Sequence, residues 1–185
     1  LQADAERLPL RDQSLQMVFS NFVLQWLPDP LPALRELRRV LQPEGLILCS
    51  SLGPDSLREL RQAFCAVDDE PHVHDFLDMH DLGDAMVQAG FADPVLDVER
   101  YELHYDDLDT LLRDLRGIGA GNSQPRRGLF TPRKLQRLRS AYEEFRTPEG
   151  KLPLQYEVVH AHAWRAADRP SGELQPLQFV PRRRS

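Results

Sequence analysis

The opening run LQADAERLPL places Asp4 and Ala5 a few residues ahead of an apolar stretch, as a polar ligand-binding corner would sit before a buried strand. Gln25 and Trp26 follow that stretch closely. His72, His74 and Phe76 lie in the polar segment DDEPHVHDF, where a loop closing over a pocket would carry its contact residues. Cys65, His72, His74 and His80 have metal-ligating side chains, but their spacing matches no compact ligand pattern, so no metal site is expected. Cys65 falls on the apolar side of a predicted helix, which argues against a nucleophile. His160 and His162 alternate with Trp164 and read as core or edge histidines.

Charge divides the chain unevenly. The 185 residues carry a formal charge of −6, which excludes a general nucleic-acid binder needing a basic surface. Yet Leu115 to Tyr142 contains no acid, while Arg116, Arg126, Arg127, Arg133, Lys134, Arg137 and Arg139 all fall within it. Two cysteines make no disulfide framework, and no signal peptide or membrane-length apolar run is present in the sequence. These features predict a cytoplasmic protein with no membrane partner. An apolar content of 41% suffices for one good core.

The elements that must hold these residues follow from periodicity. LQMVFS (Leu15 to Ser20) suits a strand buried on both faces. Prolines then introduce a helix with Ala33, Leu34, Leu37, Val40 and Leu41 at helical spacing, stopped by Pro43 to Gly45, and LILCSS follows as a second strand. Strand, helix, strand in this order predicts a βαβ unit and a parallel pair. Beyond it, Ser56 and Glu59 have the spacing of a capping box ahead of the stripe Leu57, Leu60, Phe64 and Val67. A helix from Asp78 to Gly90 turns Met79, Leu82, Met86 and Val87 inward, and another runs from Asp107 to Arg116. Thr131 and Pro132 open a further helix with Leu135, Leu138, Tyr142 and Phe145 inward. DPVLDVERYELHY has strand content, and Leu152 to Trp164 is the last strand. Residues 168–185 read as a flexible tail.

DAERLPL, the strand, SNFVLQWLPDP and the helix ending RVLQPEGLI before LCSS together resemble the second half of a class I S-adenosylmethionine-dependent methyltransferase. GPDSLREL, PHVHDFLDMHDLGDAMVQAGF, LLRDLRGIGAGN and LPLQYEVVHAHAW narrow the resemblance to the malonyl-acyl-carrier-protein O-methyltransferase family of biotin synthesis, over about residues 1 to 166. The implied fold is α/β: the C-terminal part of a Rossmann-like sheet, strands 4-5-7-6, with an inserted helical cap. Residues 1–167 would form this partial domain, with cap helices near 53–90 and 107–146. The family's glycine-rich loop and ribose-binding acid are not in these residues, so an upstream half is expected in a longer protein, and without it Leu15 to Ser20 becomes an exposed apolar edge.

The resemblance implies S-adenosyl-L-methionine as cofactor. Asp4 would accept from the adenine amine, Ala5 would offer its N–H to the ring, and Ser20, Asn21 and Phe22 would lie against the methionine end. It implies methyl transfer to the carboxylate of malonyl-acyl carrier protein, which needs positioning and desolvation and no catalytic base. Gln25, Trp26, His72, Phe76, Arg116 and Asn122 are the candidate substrate residues, with Arg116 offering a guanidinium fork to the carboxylate. Arg126, Arg127, Arg133, Lys134, Arg137 and Arg139 would dock the acidic carrier. Two alternatives share the pattern: SNFVLQWLPDP also looks like trans-aconitate methyltransferase, and related C-terminal halves serve as non-methylating respiratory complex I assembly factors.

Overall fold

A computed structural model describes residues 2–68, 70, 72–73, 75–117 and 131–167. The tail predicted at 168–185 lies outside them. The elements run β1 (Leu15–Asn21), α1 (Leu31–Val40), β2 (Leu41–Leu52), α2 (Arg58–Cys65), α3 (Met79–Ala89), β3 (Phe91–Tyr105), α4 (Leu108–Gly117), α5 (Pro132–Tyr142) and β4 (Leu152–Arg165). The sheet order is β1-β2-β4-β3. β1 and β2 are parallel, joined through α1, whereas β4 runs antiparallel to both β2 and β3. This is the 4-5-7-6 order that the resemblance implied.

β4 explains why the described residues form two apolar cores. Successive residues of a strand face opposite sides. Val159, Ala161 and Ala163 join Ile47 and Cys49 of β2 against Leu34 and Leu37 of α1 and Leu82 and Met86 of α3. Leu152 and Leu154 face the other way, onto Leu60 and Phe64 of α2, Leu111 and Leu115 of α4, and Leu138 and Tyr142 of α5. Each fully buried leucine contributes about 1.5–3 kcal/mol through removal from water.

Local chemistry sets the element ends. Asp29 Oδ1 accepts from Leu31 N–H at the start of α1, with Pro32 in its first turn. Thr131 Oγ1 accepts from Lys134 N–H above Pro132, as its position predicted. Asp78 caps α3, and Gly90 ends it at φ 91°. A Cβ on Gly90 would stand 2.7 Å from Arg38 Nε, which donates to the Gly90 carbonyl and ties α1 to α3.

Four expectations are corrected. β2 begins at Leu41, because Pro43 to Gly45 interrupts only its pairing: Leu15 meets Leu41 and Met17 meets Leu46, and the intervening residues step out through Glu44 at φ 63°. Val87 is 56% exposed, one position off the buried face of α3. Cys65 is exposed at the C-terminal end of α2. Ser56 and Glu59 form no capping box; Leu57, at φ 58°, precedes α2 without a side-chain cap, and both polar side chains turn to β4. On β1, Met17 and Phe19 are 55% and 68% exposed.

Candidate active site

A cavity of about 950 Å³ opens where β1 and β2 end. Phe22, directly after β1, and Leu52, the last residue of β2, form one wall. Phe22 takes φ 52°, held by its N–H donating to the Ser50 carbonyl and more weakly to Ser50 Oγ, which itself donates to Asn21 Oδ1 at 2.6 Å. Gln25 and Trp26 fall in the 3-10 turn Leu24–Trp26, and Gln25 Oε1 accepts from Leu52 N–H at 3.2 Å. The turn after β1 is thereby fastened to the end of β2.

The opposite walls come from sheet and cap. Tyr101, Leu103 and Tyr105 of β3 lie beside Tyr156 and Val158 of β4 on one sheet face, in register through Tyr101 with Tyr156. Leu57 and Leu60 close the cavity from the α2 side, while Val73 and Phe76 cover it from the loop before α3. Most of this lining is apolar or aromatic. The charged or titratable exceptions are His72, His160, Arg113 and Asp114.

His72 is locked in place. Its ring stacks on Phe64 with centroids 4.0 Å apart, and its Nε2 lies 2.6 Å from Asp68 Oδ1. Lys134 Nζ reaches Asp68 Oδ2 at 2.6 Å. Burial alone would raise the Asp68 carboxyl, but the hydrogen bonds from Lys134 and His72 outweigh it and hold the group down to about 2. One carboxylate therefore joins the cavity loop to α2 and α5. Burial, followed by the charge of Asp114, raises the Tyr105 hydroxyl above the usual tyrosine range.

Of the residues singled out from sequence, Phe22, Gln25, Trp26, His72 and Phe76 surround this one cavity. Ser20 is buried in β1. Asp4 stands outside the lining: it is exposed, and its Oδ1 accepts from Glu6 N–H at 2.9 Å. Ala5 is half-buried in the same turn. That segment is moored to α1, where Glu36 Oε1 accepts from Leu8 N–H and Arg39 donates to the Leu8 and Leu10 carbonyls and pairs with Asp12.

Arg113 and Arg116 are both exposed on α4, but Arg113, one turn earlier, lines the cavity and Arg116 does not. Within the basic run, Lys134 is committed to Asp68, Arg137 donates to the Ala66 carbonyl, and Arg139 forms two bonds to Asp109. Arg133 is exposed. His74, Asn122, Arg126 and Arg127 lie outside the described residues. Among the described residues no three His, Cys, Asp or Glu side chains gather to hold a metal ion, and no helix is long and apolar enough to cross a membrane.

Sequence reasoning missed Arg113, His160 and the tyrosine wall. His160 is half-exposed at the cavity, 3.6 Å from Glu99, and His162 packs edge-on against Trp164. The signal for His160 was the even-residue alternation of β4, which places it two positions from Val158 on the cavity face.

A parallel strand pair with a ligand-sized hollow at its carboxyl ends, continued by a reversed strand, is the second half of the class I methyltransferase fold. A model of the methyltransferase domain matches residues 1–49. The crystal structure of a candidate methyltransferase from Bacillus halodurans superposes with TM-score 0.61 at 18% identity, covering 90% of this chain and 71% of that one. By sequence the chain is similar to curated malonyl-acyl-carrier-protein O-methyltransferases. It is 51% identical over 174 residues to the relative from Laribacter hongkongensis and 50% identical over 185 residues to that from Methylovorus sp., covering 93% and 97% of this chain. It spans 58% and 62% of those relatives' lengths.

Proposed function

We propose that this chain supplies the acceptor-binding half of an S-adenosylmethionine-dependent carboxyl methyltransferase acting on malonyl-acyl carrier protein in biotin synthesis, in the cytoplasm. The observation that carries the reading is identity of about one residue in two, across nearly the whole chain, with relatives of that name. The apolar hollow at the carboxyl ends of β1 and β2 suits the chemistry.

The residues present fit the cofactor. The Asp4 carboxylate, whose Oδ1 accepts from Glu6 N–H, would be the acceptor for the adenine amine, and Phe22 and Trp26 offer apolar surface near the turn after β1. When bound, S-adenosylmethionine supplies a methyl group on a sulfonium sulfur. The acceptor carboxylate is already ionised, so its oxygen forms the new O–C bond, the S–C pair stays on sulfur, and no proton moves. This chain's work is then to align the carboxylate and to exclude water, which Trp26, Val73, Phe76 and Leu103 do by enclosing it in apolar surface. Among the described residues of the basic run the carrier would meet α5 through Arg133, since Lys134, Arg137 and Arg139 hold internal partners.

The test is methyl transfer by the full-length protein, with labelled methyl donor, to malonyl-acyl carrier protein, free malonate and trans-aconitate. Label on the carrier-bound acid supports the reading. Label on a free acid alone moves the substrate, and no label on any of them refutes the enzyme.

A further inference from the structure

Resting on the carboxyl-methyltransferase reading, we infer that Arg113 of α4 is the residue that recognises the acceptor carboxylate. A carboxylate brought into a hollow lined by Leu57, Leu60, Val73, Phe76 and Leu103 loses its water and needs a partner in exchange. Arg113 is the permanent cation among the described residues of that lining.

Like Arg116, which lies outside the lining, it stands apart from the arginines held in ion pairs. Arg39, Arg100, Arg139 and Arg146 are each answered by a carboxylate within 4 Å. Arg113 forms no such ion pair with the described residues, and Asp107, six positions back, feels only its charge. His72 already spends Nε2 on Asp68, and His160 faces Glu99. Asp114, the next residue, is the one carboxylate among the described residues of the lining. The neighbours Leu111 and Leu115 are buried in the cap core, which fixes the helix face that carries Arg113.

The charge balance gives the residue a second role. The guanidinium binds one carboxylate oxygen while the other attacks the methyl carbon. The new O–C bond forms, the S–C electron pair remains on sulfur, and the acid becomes a neutral ester. Arg113 then faces a group without charge, so it discriminates substrate from product and favours release of the ester.

The experiment uses the full-length enzyme with Arg113→Gln, Arg113→Lys and Arg116→Gln, each first checked for binding of S-adenosylmethionine as a readout of an intact site. Arg113→Gln should lower kcat/KM for malonyl-acyl carrier protein at least about 30-fold, the size of a lost partner to a desolvated charge. Inhibition by the methyl-ester product should stay unchanged, and Arg113→Lys should recover part of the loss. Wild-type kcat/KM in Arg113→Gln, equal weakening toward acid and ester, or a loss confined to Arg116→Gln would overturn the assignment. If the wild-type enzyme methylates no carboxylate, the underlying reading fails first and this inference with it.

Discussion

Ser56 and Glu157, 101 positions apart, exchange two hydrogen bonds: Ser56 Oγ donates to the Glu157 carbonyl at 2.9 Å and accepts from the Glu157 N–H at 3.0 Å. Ser56 is wholly buried. The loop after β2, which leads into the cavity wall at Leu57, is thus clasped to the central strand by one hydroxyl. Ser56→Ala leaves the Glu157 N–H without this acceptor, and should cost about 1–3 kcal/mol in denaturant unfolding. An unchanged midpoint would mean that the clasp contributes nothing.

Gly53 stands in the same clasp. A Cβ there would lie 2.5 Å from Glu157 Oε2, the oxygen that accepts from Asp55 N–H, while Oε1 is bonded to Arg100. Gly53→Ala should destabilise by about 1–3 kcal/mol through overpacking. In a Glu157→Ala background the same substitution should cost much less, and additive losses in the double variant would refute the clash.

Much of this architecture was legible in the chain. The helical spacing of Leu34, Leu37 and Val40 and the Thr131-Pro132 start signal are local, so they predicted α1 and α5 directly. The Ser56 and Glu59 spacing misled because local propensity lost to distant partners: Glu59 accepts from Gln155 N–H and Ser56 bonds Glu157. β4 carries Leu154, Tyr156 and Val158 on one face, yet Glu157, Val159, Ala161 and Ala163 are buried on the other, since a central strand is covered twice. Phe22, Gln25, Trp26, His72 and Phe76 could be named as candidates because they sit in loops beside strong elements. Arg113 could not, because choosing between it and Arg116 needs the helix's rotation against β3, which no residue pattern states.

Asp68 makes one contact dependent on acid. Its carboxyl, lowered from 3.8 to about 2, stabilises the folded state fully above about pH 4 and loses that contribution as pH falls through 2. Lys134→Met removes the strongest of its hydrogen bonds, so the acid-unfolding midpoint followed by circular dichroism should move to higher pH. No movement would show that the Lys134 bond is worth little in solution.

The two thiols should differ in reactivity. Burial pushes the Cys49 thiol up to about 12, and it packs in the α1–α3 core, whereas Cys65 is exposed. At pH 8 a maleimide should modify Cys65 in the native protein and reach Cys49 only after denaturant is added. Labelling of Cys49 without denaturant would mean that the sheet opens more readily than its packing suggests.

The placement of β4 between β2 and β3 has a consequence for synthesis on the ribosome. Residues 46–52 find their neighbour only when residues 158–164 emerge, so β2 waits beside α1 with one flank open while about a hundred residues are translated. The same late segment seats both apolar layers at once, so nascent chains paused before residue 152 should remain protease-sensitive, and those paused well after residue 165 should become resistant in a single step.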